Sequence, residues 1–557
     1  MKLFLHSRTL QPARRPWQLA LTLPQLILLV SVLWLLTANA LFFTAALKDR
    51  APTEPSTWGF ALALALMVLS AHYLLMSLLV FRWNAKPVLA VLIIATAAAA
   101  FFMQTFGIYL DPPMLRNILR TDITETRELL TLRMALHMAL FAGLPLLVLW
   151  RVQIVHTPWR SAVLTRLGIA LLAALVFVGA LLAVFQPMAS LMRNHKEVRY
   201  LATPANTLWS LGSVGMAQFK SAAKPRQSIG LDAKMPALPA GAKPQLVVLV
   251  VGETARAANW GLNGYARQTT PQLAALNAVN FAQVSSCGTN TEVSLPCMFA
   301  PVGRRNYDEA VIRGSESLLH VLARAGMQVH WRDNQSGCKG VCDGLPANGS
   351  VDEVLTLNPP GLCADGRCMD EGLLTGLDAR IKTLQTKGGK QVLVLHMLGS
   401  HGPSYFRRYP PQFAQFNPAC QNDDLARCSQ QDIVNAYDNT LLYTDHVLAQ
   451  LIGQLKAQTA VDTAVVYASD HGESLGENGL FLHGIPYAIA PKEQTQVPMV
   501  MWFSPGMRQS LSLNEACLRQ RATQPSSHDY LFHTMLGLLN VTTSVYEAPL
   551  DLLKACR

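Results

Sequence analysis

Long apolar stretches fill the first third of the chain. Five of them are nearly uncharged and lie at residues 18–47, 58–81, 88–110, 134–150 and 167–185. Each approaches or exceeds the roughly 20 residues that a helix needs to cross a bilayer. The first stretch is too long for a signal peptide and has no clear small-residue cleavage site, which favours a retained anchor. The pattern predicts a five-helix transmembrane domain over residues 1–186.

Two different patterns follow this apolar third. Residues 187–221 mix basic and apolar positions, which favours a segment lying on the membrane surface. Residues 222–244 are rich in Ala, Pro, Gly and Lys, a composition typical of linkers. We therefore predict a bridging segment and linker over residues 187–244 and a separate domain over residues 245–557.

In that last domain, short apolar runs alternate with helical patterns. The predicted strands are 245–251, 327–331, 391–395, 463–468 and 497–503. The helical patterns lie near 271–279, 315–325, 369–386, 432–456 and 528–539. Such alternation is typical of an α/β domain with a mostly parallel sheet, in which ligands bind beyond the carboxyl ends of the strands.

The distribution of charge predicts an orientation. The 557 residues carry a formal net charge of +11. Residues 1–17, 82–87 and 151–166 together hold nine Lys or Arg and no Asp or Glu, whereas residues 48–57 and 111–133 hold six of each sign. Basic loops stay in the cytoplasm, so the N-terminus is expected there and everything after about residue 186 on the other side. The positive charge is thus explained by topology, and no nucleic-acid binding is expected.

The cysteines agree with an exported domain. All ten lie after residue 286, and an even number confined to one exported region is typical of disulfides in an oxidising compartment. Their spacing suggests local loops and one longer pair: 287–297, 338–342, 363–368, 420–428 and 517–556. Zinc fingers are the alternative, but the spacings do not form paired CxxC knuckles.

Candidate metal ligands follow three predicted strands. Glu253 comes after 245–251, His401 follows 391–395, and Asp470 and His471 follow 463–468, with His483 further along. Carboxylate and imidazole groups suit a divalent metal, most naturally zinc. Alone, each residue is equally consistent with a helix cap or a structural histidine, and only their joint occurrence at strand ends predicts a metal site.

Hydroxyl side chains cluster in the segment 285–297, ahead of a predicted helix. A hydroxyl at a helix N-terminus lies in the positive end of the helix dipole, which favours both an alkoxide and a phosphoryl group. A bridge between Cys287 and Cys297 would hold this turn. The segment is therefore the best candidate for a nucleophile, with an ordinary Ser/Thr cap as the alternative.

The loop at 111–133 shows helical spacing. Asn117, Thr121 and Glu125 fall at i, i+4 and i+8, so a helix over residues 115–128 would place them on one face. Because this loop is expected on the same side of the membrane as the soluble domain, the polar face is placed to meet a lipid headgroup. A solvated helix face is the alternative.

Five segments resemble the phosphoethanolamine transferases of Gram-negative inner membranes. They read VVGETARAANWGLNGY, SSCGTNTEVSLPCM, HMLGSHGPSY, YDNTLLYTD and SDHGESLGENG. The resemblance is strongest to the lipid A modifying enzymes, including the mobile colistin-resistance group, and it covers nearly the whole chain. It implies a five-helix transmembrane domain and a periplasmic α/β domain with the alkaline phosphatase/sulfatase fold.

The resemblance also implies roles for individual residues. Thr291 matches the nucleophile, and Glu253, Thr291, Asp470 and His471 match the ligands of one tightly bound zinc ion, with a second zinc left open. His401 and His483 match catalytic residues near the substrate or a second zinc. Residues matching substrate contacts are Lys339 for phosphate and, for the ethanolamine headgroup, Asn117, Thr121 and Glu125. Disulfides vary within the family, so pairs 287–297 and 420–428 are better supported than 338–342 and 517–556.

The activity implied is transfer of phosphoethanolamine from phosphatidylethanolamine to phosphates of lipid A through a phosphothreonine-type intermediate, giving polymyxin and colistin resistance. The expected protein is a multi-pass inner-membrane monomer with a periplasmic catalytic domain. Alternatives are another envelope glycan as acceptor, or a periplasmic metal-dependent phosphatase or phosphodiesterase. A sulfatase nucleophile pattern does not fit residues 297–301, and uncharged centres of the crossings give no support to a transporter.

Overall fold

The structure is a computed structural model that describes residues 19–48, 50–121, 123–222 and 225–557. The chain divides into two compact units. The first comprises Met1–Gln104 and Leu132–Trp209, and the second comprises Thr105–Thr131 and Ser210–Arg557. The segment 105–131, which joins two apolar helices in the sequence, therefore belongs to the second unit. The domain boundaries at residues 186 and 244 stay a prediction.

The first unit is built from long apolar helices. Four are long and apolar enough to cross a membrane: Pro55–Leu79, Ala85–Phe106, Leu132–Arg151 with a π-helical turn at Ala139–Gly143, and Trp159–Ala183. Leu23–Thr37 and Ala40–Leu47 form a pair bent by 55°, which makes a fifth span if the two are counted together. The predicted five crossings thus stand at four or five, and residue 18, where the first predicted stretch begins, lies outside the described residues.

Shorter elements complete this unit. They are the helices Phe185–Asn194 and Lys196–Leu201, the start of the helix Ala205–Ala222, and a pair of short parallel strands, Leu19–Leu21 and Val152–Ile154. Thr22 caps the first long helix, because its hydroxyl accepts a hydrogen bond from the Gln25 backbone N–H, while the Gln25 side-chain oxygen accepts one from the Thr22 backbone N–H. The core of the unit forms around Trp34, Tyr73 and Met76.

The second unit is organised around an eight-stranded sheet. In chain order its strands are β1 Gln245–Gly252, β2 Val279–Ser285, β3 Gln328–Asp333, β4 Gly349–Glu353, β5 Lys390–His396, β6 Asp462–Ser469, β7 Gln496–Phe503 and β8 Ser526–Ser527. Their order across the sheet is β8-β2-β7-β6-β1-β5-β3-β4. Only β7 runs antiparallel to the others. The mostly parallel sheet expected from the sequence is confirmed.

The second unit also contains α-helices. They are Pro112–Arg120, Ile123–Leu129, Pro271–Ala275, Thr291–Met298, Glu309–Gly314, Leu318–Arg324, Val354–Leu357, Leu377–Lys387, Gln430–Lys456, Lys492–Thr495, Pro505–Ser510, Glu515–Ala522 and Asp529–Leu538. Alternate side chains of β1 enter two separate hydrophobic cores, with Val247 on one face and Val248 on the other. Burial on both faces explains why β1 is a continuous apolar run.

The predicted strands agree with the structure to within two residues at each end, but three further strands of the sheet, β2, β4 and β8, were not predicted. A helix was expected over residues 271–279, but the observed helix ends at Ala275. The strand β2 begins at Val279, where that helix was expected to end. The helical stretch 369–386 is interrupted by Gly376, whose φ of +71° separates a 3-10 turn, Asp370–Leu374, from Leu377–Lys387. Helices at 315–325, 432–456 and 528–539 are confirmed with small shifts at their ends.

The continuous helix predicted over residues 115–128 is wrong. One helix ends at Arg120 and the next begins at Ile123. Thr121 between them is extended, with φ −64° and ψ 132°, and its hydroxyl donates to the backbone carbonyl of Asn117. Threonine hydroxyls bond in this way to nearby backbone groups in competition with helix continuation.

All ten cysteines form disulfides in the structure. The pairs are the five expected from spacing: Cys287–Cys297, Cys338–Cys342, Cys363–Cys368, Cys420–Cys428 and Cys517–Cys556. Four of these pairs close loops of ten residues or fewer, and the last joins the C-terminus to the helix Glu515–Ala522 across a separation of 39 residues.

Candidate active site

The carboxyl ends of β1 and β6 deliver three ionisable side chains to one point. The two strands pair in parallel up to Ser469 opposite Gly252, so Glu253 and Asp470 leave the sheet side by side. His471 follows directly. The side chains of Glu253, Asp470 and His471 are fully buried, and one donor atom from each lies within 4.8 Å of the other two. Adjacent parallel strands thus explain how residues more than 200 positions apart in sequence meet.

Thr291 lies beside these three residues. It is the first residue of the helix Thr291–Met298, which Asn290 caps by accepting from the Val293 backbone. The Thr291 hydroxyl oxygen is 3.1 Å from both carboxylate oxygens of Glu253 and 3.4 Å from Nε2 of His471. The Cys287–Cys297 disulfide joins the turn before this helix to the helix itself.

The four side chains fit a metal ion such as zinc. Oδ2 of Asp470 is buried and has no hydrogen-bond partner among the described residues. Two carboxylates, an imidazole and a hydroxyl form a donor set of the kind that zinc accepts. A buried carboxylate oxygen without a partner is costly unless a cation or proton satisfies it. The residues therefore suit a cation at this point.

The charges in this cluster are strongly coupled. Burial would raise the pKa of Glu253, but the adjacent His471 outweighs it and lowers that pKa to about 2. Burial and the nearby Glu253 carboxylate raise the pKa of Asp470 to about 6. Burial would lower the pKa of His471, but Asp470 and Glu253 raise it to about 10. The two carboxylates thus retain a proton on His471, and a bound cation would take the place of that proton.

Two further histidines border this cluster. The ring of His483 is 4.4 Å from that of His471 and 5.4 Å from that of His401, between centroids. Nδ1 of His483 lies 2.7 Å from Oε2 of Glu473, a fully buried carboxylate that also accepts from the hydroxyl of Tyr405 at 2.6 Å. Glu473 thereby fixes the ring of His483 through one nitrogen.

The segment 105–131 supplies one residue to this arrangement. Oε1 of Glu125 lies 3.4 Å from Nε2 of His401. Asn117 and Thr121 are bonded to each other through the hydroxyl of Thr121 and the carbonyl of Asn117, and the helix break at Thr121 separates them from Glu125. The structure therefore places Glu125 beside a candidate catalytic histidine, and the headgroup role of all three residues stays a prediction.

Lys339 lies on a separate loop. Its ammonium donates to the hydroxyl and carbonyl of Ser336, at 2.5 and 3.1 Å, and the residue is buried with a φ of +48°. Among the described contacts, Lys339 has none with Thr291 or the cluster around it. Its role toward phosphate stays a prediction.

Three buried polar residues around the site were not predicted from the sequence. Glu473 holds His483, as described above. Asp370 accepts from the backbone N–H groups of Leu398 and Gly399 and so orders the loop that carries His401. His528 accepts from the backbone N–H of Cys287, in the turn before Thr291, and burial lowers its pKa to about 3. Only Glu473 had a visible signal, since it lies two residues after His471.

Two glycines allow the backbone to pack closely here. A Cβ atom on Gly399 would lie 2.6 Å from the carbonyl oxygen of Glu253, and one on Gly472 would lie 2.0 Å from the carbonyl oxygen of Glu493. Distances below 3.0 Å are essentially absent for real Cβ atoms. Any side chain at either position would push the strand-end loops apart.

Comparison with known proteins bears on this geometry. Residues 68–219 match the family described as phosphoethanolamine transferase EptA/EptB, and residues 245–541 match the family described as sulfatase. The phosphoethanolamine transferase EptA of Salmonella typhimurium is 39% identical over 523 residues, covering 93% of this chain and 94% of the relative. This chain belongs to the phosphoethanolamine transferase family. The family inferred from the sequence motifs is thus confirmed.

Two further relatives support the same family assignment. The phosphatidylethanolamine transferase Mcr-1 of Escherichia coli is 38% identical over 526 residues, covering 93% of this chain and 95% of the relative. The integral membrane lipooligosaccharide phosphoethanolamine transferase A of Neisseria meningitidis is 37% identical, with a TM-score of 0.90 over 97% of this chain and 99% of the other. The transferase is a membrane protein whose catalytic domain is periplasmic and sulfatase-like.

Proposed function

We propose that this transferase moves phosphoethanolamine from phosphatidylethanolamine to the phosphate groups of lipid A, and thereby gives resistance to polymyxins such as colistin. The observation that carries the proposal is the buried hydroxyl of Thr291, held at the head of a helix 3.1 Å from both oxygens of Glu253. The printed names of relatives support the donor and acceptor, since Mcr-1 is called a phosphatidylethanolamine transferase and the Neisseria enzyme a lipooligosaccharide transferase.

The metal is proposed to be zinc, one ion held by Glu253, Thr291, Asp470 and His471. When bound, zinc lowers the pKa of a hydroxyl that it contacts and offsets negative charge on phosphoryl oxygens. The protein contributes a dry, rigid site, because these four residues are at most 3% exposed. A low-dielectric site strengthens each of these charge interactions.

The reaction proceeds in two proposed steps. In the first, the Thr291 oxygen attacks the phosphorus of the donor, and the bond from phosphorus to the glycerol oxygen breaks. Diacylglycerol leaves with the proton that the Thr291 hydroxyl loses, and His401 and His483 are proposed to carry it between the two oxygens. In the second, a phosphate oxygen of lipid A attacks the same phosphorus, the bond to Thr291 breaks, and the Thr291 oxygen takes up the proton that the attacking phosphate loses. One nucleophile used twice implies ping-pong kinetics.

The topology is part of the same proposal. The positive-inside pattern supports a cytoplasmic N-terminus. Donor and acceptor both reside in membranes, so a tethered catalytic domain meets them at a high effective concentration. A monomer suffices for this arrangement, because all the proposed site residues come from one chain.

Mass spectrometry of lipid A tests the proposal directly. The full chain is expressed in a polymyxin-sensitive Gram-negative host, and lipid A is compared with that of cells carrying an empty vector. We expect a species heavier by one phosphoethanolamine group and a higher polymyxin tolerance. Modification of another envelope glycan with unchanged lipid A would reassign the acceptor. Release of free phosphoethanolamine by the purified enzyme, with no acceptor modified, would favour a phosphodiesterase.

A further inference from the structure

The helix Ile123–Leu129 carries two carboxylates toward one residue of the site. Glu125 and Glu128 are three positions apart and therefore lie on the same side of the helix. Glu125 reaches the imidazole of His401, with 3.4 Å between Oε1 and Nε2. Glu128 is a little less than one turn further on and is buried. The candidate site described above includes the first carboxylate, beside His401, and gives the second no role.

Glu128 makes a two-pronged contact with Arg408. Its two oxygens accept from the guanidinium at 3.2 and 2.5 Å, and the side chain of Arg408 is fully buried. Paired fork-to-fork contacts of this kind fix orientation as well as charge. Nε of Arg367 lies 3.1 Å from Glu128 as well, so the carboxylate sits between two guanidinium groups.

Arg408 also contacts the backbone of His401. Its Nε donates to the carbonyl oxygen of His401 at 2.8 Å. The segment 105–131 thus holds His401 at two points, the ring through Glu125 and the carbonyl through Glu128 and Arg408. Among the described contacts, the guanidinium of Arg408 is the only group that hydrogen-bonds to both Glu128 and His401.

The second arginine belongs to a small closed hairpin. Arg367 lies in the paired strands Cys363–Ala364 and Arg367–Cys368, which the Cys363–Cys368 disulfide joins at their ends. The turn of the hairpin approaches the same helix, since a Cβ on Gly366 would lie 3.4 Å from the hydroxyl oxygen of Thr124. The hairpin therefore gives Glu128 a second cationic contact besides Arg408.

We propose that Glu128 and Arg408 are a positioning pair for His401. They do not contact the reacting atoms. They hold the imidazole where it can exchange a proton with the departing glycerol oxygen. The position of His401 therefore depends on the contact that the segment 105–131 makes through Glu128. The inference rests on the proposed function and extends it from the residues that react to the residues that place them.

Kinetics of the full-length enzyme in detergent test the pair. The variants are Glu128→Gln and Arg408→Gln, and the substrate is fluorescent phosphatidylethanolamine, with release of diacylglycerol as the readout. We expect each variant to lower kcat by roughly 10- to 100-fold, the usual cost of misplacing a catalytic group by about 1 Å. KM should change by less than about threefold. Arg408→Lys should resemble Arg408→Gln, because lysine keeps the charge and loses the fork.

Arg407→Gln is the matched control. Arg407 is the neighbouring residue, but its side chain is half exposed and pairs with Asp423. This variant should keep wild-type kcat. Equal losses in Arg407→Gln and Arg408→Gln would overturn the proposal, because they would trace the effect to the loop as a whole.

A second substrate separates positioning from general damage. With a p-nitrophenyl ester of phosphoethanolamine, the leaving phenolate needs no proton, so Glu128→Gln should lose less than about threefold. Equal losses on both substrates would contradict the proposal. If the wild-type enzyme cleaved the ester but not the lipid, that result would count against phosphatidylethanolamine as the donor. Failure of the proposed function can thus be told apart from failure of the positioning proposal.

A double-variant cycle completes the test. If Glu128 acts through His401, then adding Glu128→Gln to His401→Gln should cost nothing further. Additive losses would overturn the relay. Metal content and thermal melting identify any variant that fails to fold; if Arg408→Gln does, Glu128→Gln, which has the same shape as the native side chain, decides the question alone.

Discussion

Two sides of the site are built in different ways. The metal side consists of Glu253, Thr291, Asp470 and His471, which sit at the ends of β1 and β6 and at the first residue of a helix. The histidine side consists of His401, His483 and Glu125, which sit on loops and on a short helix. Hydrogen bonds of the sheet fix the first group, whereas side-chain contacts with Glu473, Arg408 and Glu128 fix the second.

This difference has a physical consequence for catalysis. Strand ends are fixed by many backbone hydrogen bonds and by cores on both faces, so the loss of one distant contact moves them little. A loop residue held by two or three polar contacts moves when one of them is lost. We therefore expect substitutions on the metal side to abolish metal binding or the reaction directly. Substitutions of the residues that support the histidine side should lower the rate of transfer by amounts that decrease with distance from the histidines.

The largest effect should come from the nucleophile. Thr291→Ala removes the hydroxyl beside Glu253 and should lower transfer by about 1,000-fold or more, since no covalent intermediate can then form. Diacylglycerol release and lipid A mass spectra measure this loss. Thr289→Ala is the control, because the hydroxyl of Thr289 donates to the carbonyl of Ile485 and takes no part in the cluster. If the two variants exchanged outcomes, Thr289 would be the nucleophile.

The metal side was largely visible in the sequence. Glu253, Asp470 and His471 follow apolar runs that read as strands, and parallel strands end at one edge of a sheet. That β1 and β6 are neighbours in the sheet was not predicted, because the order of strands across a sheet has no local signal in the sequence. The choice of Thr291 from several neighbouring hydroxyls came from the family resemblance, because spacing alone does not distinguish Thr289 from Thr291.

The next effect concerns the metal. Asp470→Asn removes a charge from the cluster and should reduce zinc affinity by at least about 100-fold, with transfer falling in parallel. Elemental analysis of the purified full chain after dialysis measures the content. Asp462→Asn, at the opposite end of the same strand, should leave the content unchanged. Full zinc retention in Asp470→Asn would remove this aspartate from the proposed ligands.

The histidine side was visible only in part. His401 and His483 stood out as residue types, but their supports come from distant positions, and charge pairs such as Glu128 with Arg408 have no local spacing to reveal them. The helix break at Thr121 was missed for a related reason. A continuous polar face is consistent with one helix, and the hydrogen bond from Thr121 to Asn117 that ends it is specific to the folded backbone.

A smaller effect is expected for the residue that holds His483. Glu473→Gln keeps the shape of the side chain and removes its charge, and should lower transfer by about tenfold with zinc content retained. The matched control is Glu477→Gln, since Glu477 lies four residues later and pairs with Arg256. Loss of zinc in Glu473→Gln would move Glu473 to the metal side and weaken the distinction between the two sides.

The smallest effect should come from Tyr405, which contacts Glu473 and reaches His483 only through it. Tyr405→Phe removes a single hydrogen bond to Glu473 and should lower transfer by about fivefold, in line with a net value of about 1 kcal/mol for such a bond. Steady-state rates and thermal melting measure the two consequences. A loss as large as that of Glu473→Gln would show that Tyr405 takes a direct part in the reaction.

The close packing at Gly399 and Gly472 has an implication for how this sequence can change over generations. Side chains at either position would collide with the backbone of Glu253 or Glu493, so we expect any single amino-acid substitution there to disrupt the site. A collision with backbone has no simple compensating mutation, because no neighbouring side chain can be shortened to make room. Exchange of one apolar residue for another should therefore be free at exposed positions of the helix Trp159–Ala183, such as Leu164 and Leu171, and almost arrested at these two glycines.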